Sequence, residues 1–207
     1  MSEIEHGDTP GAPGTARSAS GRRVRADAQR NITAVLDAAK AVFAVSGVDA
    51  PVREIATRAG VGLGTIYRHF PQRSDLVVAV FQQEVDACAD AAPTLAAEYE
   101  PDAALVRWLH RYTSFIATKR GLAAALHSGD PAFEPLPAYF QQHLVPALGS
   151  LLESAAAAGA IRADIEPYDL LQAVANLCLP ADNDHAQRMV DLLIDGLRYG
   201  APGGRAT

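Results

Sequence analysis

The fold of this chain is decided by residues 51–77, which read PVREIATRAGVGLGTIYRHFPQRSDLV. Apolar side chains at helical spacing predict a short helix over 52–59, and Gly60 is typical of a helix end. A second short helix is predicted over 63–70, where Pro71 stops it. Two short helices joined by a tight glycine-containing turn have the spacing of a helix-turn-helix.

Basic side chains are concentrated around that motif. The formal net charge of the whole chain is -6. Residues 17–75 nevertheless carry ten Lys or Arg against five Asp or Glu, whereas residues 76–207 carry eight basic and sixteen acidic side chains. A polyanion is attracted to the basic third and repelled by the rest, so the pattern favours nucleic acid over a merely solvated basic face.

The second short helix has an inner and an outer face. Ile66 and Phe70 lie four residues apart and face inward, whereas Tyr67 is out of phase with them. A major groove admits one α-helix, which needs small residues where the backbone approaches phosphate and hydrogen-bond donors on its outer side. Such residues are present: Gly62, Gly64, Thr65, Tyr67, Arg68 and His69. A structural hydrogen bond is the alternative role for His69.

The remaining N-terminal segments divide into a leader and a first helix. Residues 1–21 are rich in Gly, Ser, Pro and Ala and are predicted to be a disordered leader. An apolar stripe at helical spacing predicts the first helix over 27–46. A flexible basic arm that follows phosphates or enters a minor groove is predicted from Arg22, Arg23 and Arg25.

Residues 27–77 resemble the signature of the TetR family of transcriptional regulators. The matching features are an Ile-Ala pair at 55–56, Ala-Gly-Val at 59–61, Gly-Thr-Ile-Tyr at 64–67, and a basic residue before Leu76. The resemblance implies an all-α protein with an N-terminal three-helix helix-turn-helix domain, at residues 22–73, and a larger helical domain for ligand binding and dimerisation, at residues 74–207.

The resemblance also implies which side chains contact an operator. Contacts, mostly to phosphates, are expected from Arg53, Gly64, Thr65, Tyr67, His69 and Arg73. Leu63 and Arg68 occupy positions that help to select bases in such proteins. Pro51 and Val52 depart from the pattern, because many members have a phosphate-binding Thr there.

The larger domain is less specific in sequence. An alanine-rich composition with 6% aromatic residues favours close-packed helices. Apolar spacing predicts helices over about 74–92, 101–121, 137–158, 167–179 and 185–199, the first of them capped by Ser74 and Asp75. The side chains that are candidates for lining a ligand cavity, with ordinary core packing as the alternative, are Trp108, Tyr112, Phe115, Phe140 and His143. The helix faces that carry these candidates contain no cluster of Lys or Arg, which would have indicated an anionic ligand. A moderately apolar organic molecule is therefore expected.

The sequence therefore predicts a homodimeric repressor that binds double-stranded DNA at a palindromic operator and is released by a small organic ligand. A ligand-responsive activator and an architectural DNA-binding protein remain alternatives. Catalytic motifs and metal-ligand spacings are absent from the sequence, so neither an enzyme nor a metal or other cofactor is expected. Cys88 and Cys178 are interpreted as buried free thiols. No apolar leader or membrane segment is found, and a cytoplasmic location is expected.

Overall fold

A computed structural model describes residues 15–178 and 183–199, and these residues form helices and turns without a β-strand. The all-α prediction is confirmed. The helices are α1 (Thr15–Ser46), α2 (Val52–Ala59), α3 (Leu63–His69), α4 (Arg73–Ala89), α5 (Ala91–Glu98), α6 (Pro101–Gly121), α7 (Ala123–Leu126), α8 (Leu136–Ala157), α9 (Pro167–Cys178) and α10 (Asn183–Arg198), with a 3₁₀ turn at Pro131–Phe133.

The first helix is longer than the sequence predicts. Residues 15–21, which the sequence analysis assigns to a disordered leader, form the first turns of α1, and residues 1–14 lie outside the described part of the chain. Ala and Arg favour helix, and no proline occurs from residue 15 to residue 50. The prediction of disorder over 15–21 was therefore wrong.

The first three helices pack around one small apolar core. Phe43 of α1, Ile55 of α2 and Ile66 of α3 are almost completely buried. Helix α1 packs along α2, and α2 contacts α3. Burial of each large aliphatic or aromatic side chain stabilises such a unit by roughly 1.5–3 kcal/mol. The burial of Ile66 therefore fixes α3 in place.

The start of α4 is capped differently from the prediction. Gln72, and not Ser74, is the N-cap residue, and its backbone N–H donates to Asp75 Oδ2 over 2.8 Å. The Gln72 side chain accepts in return from the backbone of Asp75, which completes a capping box. The beginning of α4 is therefore a defined boundary next to α3.

The prediction of a single helix over about 74–92 was also wrong. The helix α4 ends at Ala89, and α5 begins at Ala91 with Pro93 in its first turn. Proline is tolerated there because the first N–H groups of a helix have no intrahelical acceptor. Pro146, by contrast, lies inside α8, which continues through it.

The larger part of the molecule packs α4, α6, α8, α9 and α10 around a second core. Trp108, Leu109 and Leu148 are fully buried in it. Arg198 of α10 donates from Nη2 to Asp102 Oδ2 of α6 over 2.7 Å, which ties the last helix to the core. None of the described helices is long and apolar enough to cross a bilayer.

Polar contacts join α1 to α4, so the two parts of the molecule are mechanically connected. Lys40 Nζ lies 2.6 Å from Glu84 Oε2, and Gln83 Nε2 donates to Asp37 Oδ1 over 2.9 Å. Only 14% of the Glu84 side chain is exposed, which reduces the screening of this ion pair by solvent. These two contacts therefore hold α4 against α1.

Candidate nucleic-acid interface and ligand cavity

The turn between α2 and α3 is built by a left-handed glycine. Gly60 has φ 69° and ψ 28°, a conformation that side chains with a Cβ rarely adopt. Its N–H donates to Thr57 O, and Val61 N–H donates to Ala56 O over 3.1 Å, a Schellman motif. This closed turn sets the direction in which α3 leaves α2.

Helix α3 presents one face to the core and the other to solvent. Ile66 is 1% exposed, and Phe70 packs partly buried against the core. Of the large apolar side chains that are not buried, Tyr67 is 53% and Leu63 is 43% exposed. The other predicted contact residues of this helix are exposed, namely Gly64, Arg68 and His69, and Thr65 is half-buried. These residues make up the solvent-facing part of α3 around the buried Ile66, and we call this part the α3 outer face.

Two glycines, Gly62 just before α3 and Gly64 within it, are not required by the packing of the protein itself. A Cβ built on Gly62 or on Gly64 meets no other atom of the protein within 4 Å, and neither residue has a positive φ. Internal packing and backbone strain therefore do not require glycine at these two positions.

The predicted contact residues outside α3 are placed differently from one another. Arg53 is exposed in the first turn of α2. Arg73 is half-buried, and its Nη1 donates to Val48 O and, over 2.9 Å, to Ala50 O. These bonds anchor the start of α4 to the turn between α1 and α2, a role that the sequence analysis missed. The backbone of Arg22, Arg23 and Arg25 belongs to α1 and not to the flexible arm that the sequence predicts, and their side chains lie outside the described residues.

Three of the five predicted ligand residues form a buried aromatic row on α6. The ring centroids of Trp108 and Tyr112 are 5.8 Å apart, as are those of Tyr112 and Phe115. Trp108 Nε1 donates to Cys88 O over 2.9 Å, and Tyr112 Oη donates to Leu171 O over 3.3 Å. Burial raises the pKa of the Tyr112 hydroxyl. Both polar groups thus hold α6 against α4 and α9.

A cavity of about 230 Å³ lies among α4, α6, α7, α8 and α9. Of the predicted ligand residues it brings together Tyr112 and Phe140. The side chains that the sequence analysis missed are Phe81, Lys119, His127, Phe133, Gln141, Tyr168 and Gln172. A signal for Lys119 was available, because it lies seven residues after Tyr112 and therefore on the same face of α6.

The other predicted ligand residues do not line this cavity. Trp108 is enclosed by the core, and Phe115 borders a separate polar cleft next to Lys40 and Glu84. His143 packs on the Tyr139 ring with centroids 4.1 Å apart, and its Nδ1 is 3.0 Å from Asp86 Oδ1. Tyr139 Oη donates to the same oxygen over 2.6 Å. Burial and this bond raise the pKa of Tyr139 to about 12.

Two solved structures resemble this chain over almost their whole length. The TetR transcriptional regulator SCO0520 of Streptomyces coelicolor is 39% identical, with a TM-score of 0.72, and the match covers 82% of this chain and 99% of that one. The TetR transcription regulatory protein of Mycobacterium vanbaalenii is 37% identical, with a TM-score of 0.68, over 84% and 99%. This chain belongs to the TetR family of transcriptional regulators.

Two family models agree with this assignment. The model described as bacterial regulatory proteins of the tetR family matches residues 35–80, and that of the SbtR-like transcriptional regulator C-terminal domain matches residues 100–199. TetR family regulators are non-enzymatic DNA-binding proteins that typically act as dimers. An HTH-type transcriptional regulator of Staphylococcus aureus strain USA300 is 38% identical over 64 residues, which are 30% of this chain. The match spans about a third, 35%, of the length of that curated relative.

An apolar groove runs along α9 and α10 of this TetR family regulator. It is lined by apolar residues and by one charged side chain, namely Ile165, Leu177, Met189, Leu192, Leu193, Gly196, Leu197 and Arg162. Leu192 is 65% exposed, which is unusual for a large aliphatic side chain. Helices α9 and α10 therefore leave large aliphatic side chains exposed at this surface.

The two cysteines are buried, as the sequence analysis predicted. Burial is the largest of the effects that raise the pKa of the Cys88 thiol to about 12, so little thiolate is present near neutral pH. In residues 15–178 and 183–199, no three His, Cys, Asp or Glu side chains gather where they could hold a metal ion.

Proposed function

We propose that this TetR family regulator is a homodimeric repressor that binds a palindromic operator through the α3 outer face and is released by a small organic molecule. In this proposal residues 22–73 bind DNA, and residues 74–207 sense the ligand and dimerise. The observation that carries the proposal is the exposure of Tyr67 and Leu63 on a short helix that the buried Ile66 holds rigidly. Exposure of aromatic and apolar side chains to water on a fixed helix is unfavourable unless a partner covers them. A DNA major groove is such a partner.

The remaining operator contacts follow from the same placement. Arg68 and His69 supply donors beside Tyr67, and Thr65 supplies a hydroxyl at the start of the helix. Arg53 lies at the N-terminus of α2, where phosphate is favoured by the helix dipole as well as by the guanidinium. Further phosphate contacts are proposed for Arg73, through N–H groups other than its internal bonds, and for Arg22, Arg23 and Arg25 near the start of α1.

Gly64 provides a prediction that separates folding from DNA binding. Gly64→Ala is expected to leave the fold intact and to raise the free energy of unfolding by roughly 0.5–1 kcal/mol, because alanine favours helix and its Cβ meets no protein atom. If the backbone at Gly64 approaches a phosphate, the same Cβ should lower operator affinity about tenfold or more. Denaturant unfolding and fluorescence anisotropy with operator DNA measure the two quantities. Unchanged affinity would contradict close approach of the backbone at this position.

The apolar groove of α9 and α10 is the proposed dimer interface. Two copies of the groove bury Leu192 and its neighbours against each other and remove the cost of their exposure. A two-fold dimer then presents two copies of α3, and their separation must match one DNA turn of roughly 34 Å for both to enter successive major grooves.

Release by ligand is proposed to pass through Phe133. This 8% exposed side chain lines the cavity on one side and, on the other, a crevice with Val48, Asp49 and Arg73. A ligand that displaces Phe133 or Phe81 changes the packing of α4, whose first residue is bonded to the turn between α1 and α2. To empty an operator from 99% to 1% occupancy, the ligand must favour the DNA-incompetent form by about 5 kcal/mol.

Selection from a random DNA library followed by footprinting, with and without candidate compounds, tests the proposal. We expect one or two palindromic protected sites whose half-sites lie one helical turn apart, and loss of protection when a cavity ligand is added. Broad coverage without a defined site would indicate an architectural protein. A defined site that no cavity ligand releases would contradict ligand-controlled repression.

A further inference from the structure

We infer that the cavity ligand is a small aromatic anion, such as an aromatic carboxylate of one or two rings. This inference rests on the proposed function, and it extends that proposal to the chemical class of the ligand. It narrows the expectation of a moderately apolar organic molecule, because the folded chain places the ammonium group of Lys119 at the cavity.

The charges around the cavity have one sign. Lys119 lines the cavity, and neither Asp nor Glu is among its lining residues. This is unusual for residues 76–207, where acidic side chains outnumber basic ones by two to one.

Lys119 is available to pair with a ligand. Among the described residues, no carboxylate oxygen lies within ion-pair distance of its Nζ, in contrast to Lys40, which is bonded to Glu84. The Lys119 Nζ lies 5.9 Å from the centroid of the Phe140 ring, at the cavity wall. A carboxylate beside that ring would gain a charge-assisted bond to the ammonium group.

The aromatic part of the ligand is indicated by the other walls. Phe81, Tyr112, Phe133 and Phe140 face the cavity, and the Tyr112 and Phe140 rings are 6.2 Å apart at 47°. Inclined rings favour edge-to-face contacts with a planar guest. The volume of about 230 Å³ is below the roughly 300–1,000 Å³ of pockets for drug-sized ligands, which restricts the guest to one or two rings.

An aromatic cage also suits organic cations, so that class is the main competitor. A cation at this cavity would meet Lys119 and find no carboxylate among the lining residues. Cationic guests are therefore expected to bind more weakly than anionic guests of the same shape.

Three naphthalene derivatives of similar size test the sign of the charge: naphthalene carboxylate, naphthalene methanol and naphthylmethylammonium. Isothermal titration calorimetry of the full-length dimer without DNA should show the carboxylate binding most tightly and the ammonium compound most weakly. Lys119 is exposed, so Lys119→Gln should weaken carboxylate binding by up to about fivefold and leave the alcohol unchanged. Lys119→Glu should reverse the order of carboxylate and ammonium.

Arg107→Gln is the matched control, because Arg107 is an exposed cation of the same helix that lies over the Tyr99 ring and away from the cavity. This variant should bind all three compounds like the parent. Absence of carboxylate binding, equal binding of the three compounds, or equal losses in Lys119→Gln and Arg107→Gln would overturn the inference.

Operator release is measured separately, by anisotropy with labelled DNA. A carboxylate that binds in a Lys119-dependent way but leaves the DNA complex intact supports the ligand class and counts against ligand-controlled repression. Release by a neutral or cationic compound that is indifferent to Lys119→Gln supports the repression mechanism and overturns the ligand class.

Discussion

Replacing Tyr67 and His69 together by alanine is expected to weaken operator binding by on the order of a hundredfold or more, with the melting temperature changed by no more than about 2 °C. Both side chains lie on the α3 outer face, and Tyr67 is 53% exposed, so little packing is lost. Each base or phosphate contact is worth roughly 1–3 kcal/mol, and a dimer loses every contact twice. Anisotropy titrations and thermal unfolding measure the two effects.

Tyr99→Ala is the matched control, because Tyr99 is 38% exposed and follows α5, outside both α3 and the apolar groove of α9 and α10. It should bind operator like the parent. Arg73 is unsuitable for this test, because its replacement also removes the bonds to Val48 O and Ala50 O. Parental affinity of a folded Tyr67 and His69 double variant would show that DNA binds to another surface.

Trp108→Ala is expected to lower the free energy of unfolding by about 3–5 kcal/mol. The indole is fully buried, stacks on Tyr112 and bonds to Cys88 O, so truncation leaves a cavity and an unsatisfied carbonyl between α4 and α6. Denaturant unfolding at one fixed protein concentration measures the loss, because dimerisation contributes to stability.

Trp108→Phe separates the two contributions. It retains most of the packing and removes the donor to Cys88 O, so a loss of roughly 1–3 kcal/mol is expected. If Trp108→Ala left stability unchanged and altered only ligand binding, Trp108 would be a cavity residue, as the sequence analysis proposed, and the core placement would be wrong.

The helix-turn-helix is predictable from sequence because its signals are local. Gly60 and Pro71 mark helix ends within a few residues, and the phase of Ile66 against Tyr67 decides which face of α3 is buried. The predicted bounds of α2 agree with the structure, and those of α3 agree to within one residue. The wrong prediction of disorder over residues 15–21 also has a local cause, because the small residues there are compatible with both helix and disorder.

The cavity was only partly predictable because its walls come from helices far apart in the chain. Aromatic side chains on one face of α6 are equivalent in the sequence, yet packing seals Trp108 against α4 and leaves Tyr112 beside an open space. Which residue borders a void depends on how α8 and α9 cross α6, and helical periodicity does not contain that information. Periodicity does place Lys119 on the Tyr112 face of α6, but it does not show that this face borders a cavity.

Photo-crosslinking from position 63 tests most directly whether α3 enters the major groove. Leu63→Cys places a thiol at a 43% exposed position of α3, and the native Cys88 and Cys178 are buried and should not react with the label. With a photo-activatable label, this variant is expected to crosslink to bases at the centre of each operator half-site, whereas a labelled Tyr99→Cys variant is not. Efficient crosslinking from position 99 with none from position 63 would contradict binding through α3.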